Sequence, residues 1–414
     1  MISPRAGRIS PPTANCLEST DMAIERQLEP AAGRRLRLGM VGGGQGAFIG
    51  AVHRIAARLD DRYELVAGAL SSDAERARVS AADLHIAPDR AYSSFTEMAE
   101  REAQRPDGVD VVAIVTPNHM HAAPAIAFAE RGVHVICDKP LAHNLDEALA
   151  LADAVNRSGV IFGLTHNYTG YPMIRQAREM IASGDIGKAR VVQVEYAQDW
   201  LSTPLEASGQ KQAAWRTDPE KAGAAGAVGD IGTHAFNLAE FVSGALCESL
   251  AADLSRMVPG RALDDNAHML LRFEGGARGA LWASQIAPGA ENALRLRVYG
   301  ETGGLEWSQE EPNSLLFAAL GKPPQRITRA GPGALPVAAH ATRVPSGHPE
   351  GYLEGFAQIY RDLAEQIAAR IDRRPPDPAS LLTPGLAEGV RGMRFIAAAV
   401  SSSACDAAWT RIEG

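Results

Sequence analysis

The chain contains 414 residues, which is long for one domain and predicts two. Because 46% of the residues are hydrophobic and only 22% are charged, the chain can bury a large core. The net charge of -8 argues against a nucleic-acid-binding protein, which usually carries a basic surface. No apolar run is long enough to cross a bilayer, so we expect no membrane span.

The termini and the cysteines bear on where the protein works. Residues 1–33 are rich in Pro, Ser, Arg and Ala and lack the apolar core of a secretory signal. They predict a flexible tail, or an upstream extension if translation starts at Met22. The four cysteines are scattered, without a Cys-x-x-Cys pair or a histidine at zinc spacing: Cys16, Cys137, Cys247 and Cys405. We therefore expect reduced thiols, no metal site and a cytoplasmic location.

The first half of the chain alternates short apolar runs with segments of helical length. The apolar runs predict strands at 36–41, 63–70, 109–115, 133–137 and 160–164. Predicted helices lie at 48–59, 74–82, from 94, at 122–130 and at 146–158. This alternation is typical of βαβ units and a parallel sheet buried on both faces. We expect an α/β dinucleotide-binding domain, a Rossmann domain, over residues 34–164.

The second half predicts a different architecture, over residues 165–414. Strand-like runs separated by tight turns occur at 190–199, 249–258, 267–273, 277–285 and 294–299. Consecutive strands joined by tight turns favour a mostly antiparallel sheet in an α+β domain. Residues 318–349 are rich in Pro, Gly and Ala and predict a long surface loop, with closing helices near 350–371 and 385–404.

A glycine cluster follows the first predicted strand. It matches G-x-G-x-x-A with Gly42, Gly44 and Ala47, and it includes Gln45 and Gly46. Gly42 would allow the tight turn, Gly44 the approach of a pyrophosphate, and Ala47 the close packing of helix on strand. The alternative is a glycine-rich turn without function. The position between a strand and a helix favours dinucleotide binding.

The end of the second strand bears on the choice between NAD and NADP. An acidic residue there would bind the ribose 2′-hydroxyl, but the chain has Ser71 and Ser72, followed by Arg76. A hydroxyl beside a cation suits a 2′-phosphate better, which favours NADP. The alternative is that Ser71 only forms the turn and Arg76 is a solvated helix residue. NAD therefore stays open.

Two further strand ends carry polar residues in the crevice where such sheets bind ligands. Thr116, Asn118 and His121 follow the third strand and are candidate cofactor contacts. Asn118 could instead cap the next helix, and His121 could be a packed helix residue. Asp138 and Lys139 follow the fourth strand, where the lysine ammonium could bind the substrate oxygen.

A third candidate lies in the second domain, in the segment that contains Asp230 and His234. If a helix begins near Asp230, the two side chains stand four apart on one face. The carboxylate could then orient the imidazole, which would take the proton as hydride leaves. The alternative is that Asp230 caps the helix and His234 is structural.

Taken together, these motifs resemble the glucose–fructose oxidoreductase, inositol dehydrogenase and MocA (Gfo/Idh/MocA) family over about residues 35–310. The resemblance implies a Rossmann domain and a second domain with a large open sheet, through which we expect a homodimer or homotetramer. It implies that Lys139 matches the lysine of a Glu-Lys-Pro motif, with Asp138 in place of the glutamate. His234 matches the family's proton carrier and Asp230 its acidic companion. Asn237 stands where a family aspartate often occurs.

Further polar and aromatic residues are candidates for binding. Asn167 and Tyr168 follow the last Rossmann strand, and Gln198 and Trp200 end the first strand of the second domain. Trp215 and Arg216, in the next loop, are candidate contacts near the cofactor. Aromatic rings beside hydrogen-bonding groups suit a sugar-like substrate. The tryptophans could equally be core or interface residues.

The sequence therefore predicts an NAD(P)-dependent oxidoreductase that acts on a hydroxyl or keto carbon of a sugar, inositol or related polyol. One alternative is an isomerase, epimerase or oxidative glycosidase of the same fold that retains and recycles its cofactor. The other is a non-catalytic dinucleotide sensor, although the presence of Lys139, Asp230 and His234 argues against it.

Overall fold

The structure is a computed structural model that describes Ala31 and residues 33–413. The predicted tail over residues 1–33 lies almost entirely outside the described residues, as do the alternative start at Met22 and the thiol of Cys16. Within the described ranges, no helix is both long enough and apolar enough to cross a membrane.

The first sheet contains five parallel strands: β1 (Leu36–Gly42), β2 (Tyr63–Ala69), β3 (Val111–Val115), β4 (His134–Cys137) and β5 (Phe162–Leu164). The connecting helices are α1 (Phe48–Leu59), α2 (Ala74–Asp83), α3 (Phe95–Gln104), α4 (Ala122–Ala129) and α5 (Leu145–Ser158). All residues of β3 and β4 are buried, which explains their almost unbroken apolar sequence. The predicted parallel α/β sheet is confirmed.

The strand order places the crevice of this sheet. The order is β2-β1-β3-β4-β5, so the chain leaves β1 toward β2 on one side and returns to β3 on the other. The carboxyl ends of β1 and β3 are paired directly, with Gly42 opposite Val115. Ligands of such sheets bind outside the strand ends where the order reverses. The glycine turn after β1 lies at this point.

The second sheet contains nine strands: β6 (Ala189–Ala197), β7 (Cys247–Ser255), β8 (Asn266–Phe273), β9 (Arg278–Ser284), β10 (Ala293–Gly300), β11 (Gly303–Ser308), β12 (Ser314–Ala319), β13 (Gln325–Thr328) and β14 (Thr410–Arg411). Their order is β13-β12-β11-β10-β6-β9-β8-β7-β14. β6 and β9 run parallel and the other pairs run antiparallel. The predicted, mostly antiparallel sheet is confirmed.

Seven helices accompany this sheet among the described residues: α6 (Pro172–Ala182), α7 (Lys211–Arg216), α8 (Pro219–Ala222), α9 (Thr233–Ser243), α10 (Pro336–His340), α11 (Tyr352–Ile371) and α12 (Leu386–Ala404). α6 and α9 pack on one face, and β8 alternates buried and exposed residues because its other face is open. α11 packs against α1, and α12 packs against α5. The closing helices therefore connect the two sheets.

The prediction of a single loop over residues 318–349 is wrong. β13 pairs with β12 and extends the sheet, and α10 begins at Pro336, a residue suited to the first turn of a helix. Arg329 holds the chain after β13: it is buried, forms an ion pair with Glu350 and donates hydrogen bonds to backbone carbonyls. A buried arginine that organises a distant loop leaves no periodic signal in the sequence.

Candidate active site

The turn between β1 and α1 depends on glycine at two close approaches. Gly42 has φ +80°, and a Cβ there would lie 2.8 Å from Thr116 Cγ2. The helix approaches the turn most closely at Gly50, whose Cβ would lie 2.4 Å from Gly43 Cα. We predicted this packing role for Ala47, and that assignment is wrong. Ala47 is the N-cap residue of α1.

The rest of the turn packs against the end of β2. The Gly44 N–H donates to Leu70 O at 3.1 Å, and a Cβ on Gly44 would lie 2.6 Å from that oxygen. Glycine is therefore required here by the protein's own packing, whatever approaches from the cavity. The Gln45 N–H donates to Ser80 Oγ at 3.0 Å. Gly46, a predicted cofactor contact, is exposed and lies outside the cavity lining.

At the end of β2, hydroxyls and a cation face the cavity. Ser71 Oγ accepts the Asp73 N–H at 3.1 Å, so the predicted turn chemistry is present. The Asp73 carboxylate caps α2 by accepting the Arg76 N–H at 2.7 Å. Ser71, Ser72 and the exposed Arg76 all line the cavity. The Asp73 carboxylate, which directly follows Ser72, is thus bonded to backbone. The Arg76 guanidinium is available to an anion in the cavity.

Two of the predicted polar residues after β3 line the cavity, and one of them also contacts the second domain. Thr116 and Asn118 line the cavity. Asn118 does not cap a helix, because its Nδ2 donates to Ala222 O at 2.9 Å, on α8 of the second domain. This hydrogen bond connects the Rossmann sheet to the segment that covers the crevice.

His121 is not a cofactor contact, which corrects our prediction. The residue is 1% exposed and does not line the cavity. Its Nδ1 lies 2.7 Å from Pro140 O and its Nε2 lies 2.8 Å from Thr116 O. Burial lowers the pKa of its imidazole. The alternative reading, a packed residue at the start of a helix, matches this structure.

Lys139 lies at the carboxyl end of β4, before a cis peptide bond to Pro140. Its Nζ donates to Asp230 Oδ1 at 2.8 Å and to Asp230 O at 2.6 Å. An ammonium group has three N–H donors, so one remains for a ligand in the cavity. The two candidate motifs from separate domains are therefore in direct contact.

Asp230 lies in a single π-helical turn, Val228–Gly232, that runs directly into α9. It is therefore inside a helical segment and is not the N-cap. Its Oδ2 accepts hydrogen bonds from Arg216 Nε at 3.1 Å and Gln285 Nε2 at 2.9 Å. Burial alone would raise the pKa of Asp230, but Lys139 and Arg216 hold it well below its usual range. Asp230 is consequently an ionised acceptor between two cations.

His234 lies on the first turn of α9 and is 8% exposed. The rings of Tyr168 and His166 contact it, with centroids at 4.9 and 5.4 Å. Burial, together with Lys139 and His166, lowers the pKa of His234 well below 6.5, so the ring is neutral. Within the described ranges, His234 Nδ1 has no hydrogen-bond partner.

Our expectation that Asp230 orients His234 by contact is therefore wrong in its detail. The hydrogen bonds of the Asp230 carboxylate go to Lys139, Arg216 and Gln285, and aromatic rings hold the imidazole in place. Asp230 acts on His234 through charge, by opposing the fall in its pKa.

The predicted substrate residues form one polar wall. Tyr168 Oη lies 2.6 Å from Tyr196 Oη, and Tyr196 donates to Asn292 Oδ1 at 2.8 Å. Gln198 Nε2 donates to the same oxygen at 2.7 Å and accepts the Trp200 indole N–H at 3.0 Å. Asn167 also lines the cavity, and its buried Nδ2 has no protein partner in the described part of the chain. An unpartnered buried donor is suited to a bound ligand.

Trp215 and Arg216, at the end of α7, line the cavity from the side of the second domain. The Arg216 guanidinium lies 4.2 Å from the ring centroid of Trp215 and 5.9 Å from that of Trp200. α8 follows directly and reaches the Rossmann domain, where His143 Nε2 lies 3.2 Å from Pro219 O. The tryptophans are partly exposed cavity residues, not core.

These groups line one cavity of about 950 Å³, which extends from the glycine turn to His234. The predicted site residues that line it are Gly42, Gly44, Gln45, Ala47, Ser71, Ser72, Arg76, Thr116, Asn118, Asp138, Lys139, Asn167, Tyr168, Gln198, Trp200, Trp215, Arg216, Asp230 and His234. The described residues contain no group of three or more His, Cys, Asp or Glu that could hold a metal ion.

Sequence reasoning did not identify three residues that hydrogen-bond predicted site residues: Tyr196, Gln285 and Asn292. Gln285 directly follows β9, and Tyr196 is one of the alternating residues of β6. β6 and β9 are parallel neighbours, so their carboxyl ends lie side by side. A rule that strand ends carry function could have identified Gln285. The partnership with Asn292 depends on strand pairing that the sequence does not reveal.

Comparison with known proteins identifies the relatives of this chain. The family model described as an oxidoreductase family with an NAD-binding Rossmann fold matches residues 36–166, and the GFO/IDH/MocA C-terminal domain matches residues 174–306. The chain is 34% identical to the uncharacterized oxidoreductase YfiI of Bacillus subtilis, covering 91% of this chain and 97% of that protein. It is 30% identical to levoglucosan dehydrogenase of Pseudarthrobacter phenanthrenivorans, covering 69% and 76%.

A solved structure is also similar: an inositol dehydrogenase homolog from Azotobacter vinelandii complexed with NADH and myo-inositol. The identity is 35%, the match covers 92% of this chain and 99% of that one, and the TM-score is 0.85. The two family matches and the near full-length similarity to YfiI agree with the fold and with the order of the motifs. This chain therefore belongs to the Gfo/Idh/MocA family and is an oxidoreductase with an NAD-binding Rossmann fold.

Proposed function

We propose that this enzyme transfers a hydride between a nicotinamide dinucleotide and a hydroxyl or keto carbon of a sugar, inositol or related polyol. The observation that carries the proposal is that Lys139, Asp230 and His234, from two domains, meet in one cavity that begins at the glycine turn. Similarity to a levoglucosan dehydrogenase and to an inositol dehydrogenase homolog bound to myo-inositol supports a polyhydroxylated substrate.

The residues at the mouth of the cavity fit a dinucleotide. Gly42 presents no Cβ, and α1 has no side-chain cap, so its first N–H groups remain open to an anion. The cavity is large enough for a dinucleotide and a small substrate together. A bound dinucleotide supplies or accepts the hydride.

The protein's own residues then hold the substrate and move its proton. The third N–H of Lys139 donates to the substrate oxygen, while Asp230 fixes the ammonium group by two hydrogen bonds. His234 is neutral and therefore able to accept the proton of the substrate hydroxyl. Tyr168 and Gln198 offer hydrogen bonds to the remaining hydroxyls, and Trp200 offers an apolar face.

The test begins with a panel of sugars, inositols and anhydrosugars, assayed by nicotinamide absorbance with NAD and with NADP. On the best substrate, Lys139→Ala and His234→Gln should each lower kcat by about 10²–10⁴-fold, the usual contribution of a positioned proton-transfer or polarising group. The dissociation constant for the reduced cofactor should stay within about threefold, since cofactor contacts along the glycine turn remain.

Lys221→Ala and His348→Gln are matched controls, because both residues lie outside the cavity lining. Neither should change kcat. Wild-type turnover in either Lys139→Ala or His234→Gln would refute the assignment. Turnover by purified protein without added dinucleotide would also contradict the proposal, and would indicate an enzyme that recycles a retained cofactor.

Our proposal for the cofactor favours NADP over NAD. Ser71, Ser72 and Arg76 surround the cavity at the end of β2, and no carboxylate from this turn lines it. The Arg76 side chain is exposed and its backbone N–H, not its guanidinium, engages Asp73. A guanidinium beside hydroxyls suits a phosphate dianion.

For the assembly, we propose a homodimer or homotetramer through the open face of the second sheet. One row of this face crosses six strands, and its ends carry the exposed apolar side chains Leu270 and Leu316. We also propose a cytoplasmic location, since Cys137, Cys247 and Cys405 are free thiols.

A further inference from the structure

A buried histidine lies behind the turn after β4 that carries Asp138 and Lys139, called here the catalytic turn. His53, on α1, is 0% exposed and does not line the cavity. Its Nδ1 lies 2.8 Å from Tyr360 Oη. Its Nε2 faces Asp138 Oδ1 at 3.8 Å, beyond hydrogen-bond distance, and has no hydrogen-bond partner among the described residues. Tyr360 belongs to α11, which follows β13 in the chain. The three side chains therefore form a line from the closing helix to the residue before Lys139.

Asp138 connects this line to the active site. Its Oδ1 accepts the Lys139 backbone N–H at 3.0 Å and the Thr165 hydroxyl at 2.7 Å, and its side chain lines the cavity. Burial alone would raise the pKa of Asp138, but His53 and Lys139 hold it well below its usual range. This carboxylate is therefore bonded to the backbone from which the Lys139 side chain projects.

The proton positions in this line follow from charge. An ionised carboxylate repels a bare nitrogen lone pair and attracts an N–H, so we expect the ring nitrogen that faces Asp138 to carry a proton. We infer that Nε2 carries the single ring proton, so that Nδ1 is bare and accepts the Tyr360 hydroxyl. Burial raises the pKa of that hydroxyl well above 10, so it keeps its proton.

We propose that His53 is a positioning residue: its Nε2–H, fixed by the Tyr360 hydroxyl at Nδ1, attracts the Asp138 carboxylate across 3.8 Å and through it orients the turn that carries Lys139. The proposal rests on the proposed function only in assigning Lys139 to the substrate. The line of side chains connects α11, through Tyr360, to the catalytic turn after β4 in the Rossmann domain. It also gives a use to a histidine that the proposed chemistry does not need.

The first test reads the tautomer without any assay of activity. In protein labelled with ¹⁵N-histidine, the His53 ring should show a protonated Nε2 and a bare Nδ1 that accepts a hydrogen bond. The resonance is assigned by its loss in His53→Gln, and Tyr360→Phe should shift Nδ1. A protonated Nδ1 in this ring, whether Nε2 is bare or also protonated, would overturn the proposal.

The second test uses two amides that imitate opposite nitrogens. A glutamine amide reaches the place of Nε2 and an asparagine amide the place of Nδ1, because their side chains differ by one methylene group. His53→Gln should keep kcat within about threefold of wild type, whereas His53→Asn should lower kcat by about 10–100-fold, since a small displacement of a catalytic group has that effect. KM should change less than kcat in both.

Tyr360→Phe tests the same line without a large change of volume. It should lower kcat in the wild-type background and have no further effect in His53→Gln, which no longer uses the hydroxyl. Tyr63→Phe is the matched control: its buried hydroxyl donates to Tyr360 O at 2.8 Å and does not reach His53. It should lower the Tm comparably and leave kcat unchanged.

Equal kcat in His53→Gln and His53→Asn, or independent effects of Tyr360→Phe and His53→Gln, would reject the positioning role. Failure of the proposed function is seen separately, as wild-type turnover in Lys139→Ala. The tautomer measurement is independent of that outcome.

Discussion

Three imidazoles around the active site are kept neutral by burial. The pKa of His166 falls to about 3, and the pKa values of His121 and His234 also fall, in each case with burial as the largest cause. Asp230, by contrast, stays ionised because Lys139 and Arg216 outweigh its burial. The site therefore combines a charge cluster with neutral imidazoles, and acid should affect the two in different pH ranges.

The first prediction concerns stability in mild acid. An unfolded histidine has a pKa near 6.5, so between pH 6.5 and 4.5 the unfolded chain binds a proton at His166 that the native chain does not. The free energy of unfolding therefore falls as pH falls, by about 1.4 kcal/mol per pH unit for each such histidine. His166→Asn should reduce this loss by about 2–3 kcal/mol over that range. Denaturant unfolding at several pH values measures it; equal slopes for both proteins would contradict the neutral assignment.

A second prediction at this scale concerns cofactor choice. Arg76→Ala should lower kcat/KM for NADP by about 10–100-fold and change that for NAD by less than about threefold, since a charge-assisted contact to phosphate is lost. Arg78→Ala is the control, because Arg78 is exposed on the same helix and pairs with Glu75. Initial rates with both cofactors decide it. An equal loss for NAD and NADP would count against a 2′-phosphate contact.

At the scale of elements, the glycine turn depends on the packing of α1 against β1. Gly50→Ala would place a Cβ 2.4 Å from Gly43 Cα, where only backbone can move. The substitution should lower the free energy of unfolding by about 1–3 kcal/mol and weaken dinucleotide binding, because the turn must shift.

The control for this prediction is Gly392→Ala on α12, where a Cβ meets nothing within 4 Å. Alanine there should stabilise the helix by about 0.5–1 kcal/mol. Thermal unfolding and NADPH fluorescence titration of both variants provide the measurements. A Gly50→Ala protein with wild-type Tm and affinity would show that the close approach has no consequence.

The elements were largely predictable, because buried parallel strands and open sheets impose different patterns on the sequence. The motifs also predicted that Lys139 and His234, from separate domains, serve one site, and both line the same cavity. What failed depended on side-chain geometry: His121 stands in a motif yet bonds two carbonyls, and Asp230 bonds Lys139 instead of His234. The hydrogen bond of Gln285 to Asp230 depends on how β9 lies beside the helix that carries Asp230.

At the scale of the whole molecule, the described residues leave one broad face of the second sheet uncovered. The paired row across this face is Leu270, Ala280, Gln193, Arg297, Glu306 and Leu316. Tyr299 lies two residues along β10 on the same face and is 43% exposed. A face that mixes apolar and charged side chains over six strands is suited to a symmetric interface between copies of the chain.

The oligomer prediction follows from this face. Leu270→Glu combined with Tyr299→Glu should convert the assembly to a smaller species, because the charges would be buried on association. Leu381→Glu is the control: Leu381 is as exposed as Leu270, at 57% against 58%, but belongs to the turn before α12. Light scattering after size-exclusion chromatography gives the mass. An unchanged assembly in the double variant would exclude this face.

The account as a whole depends on where the reactive ring of the cofactor lies. The most direct measurement is a crystal structure of the protein with NADPH and the best polyol of the panel. We expect the substrate oxygen within hydrogen-bond reach of Lys139 and His234, and its carbon about 3–3.5 Å from the nicotinamide ring, the separation of reacting atoms in a productive complex. A nicotinamide ring bound away from both side chains would contradict the account.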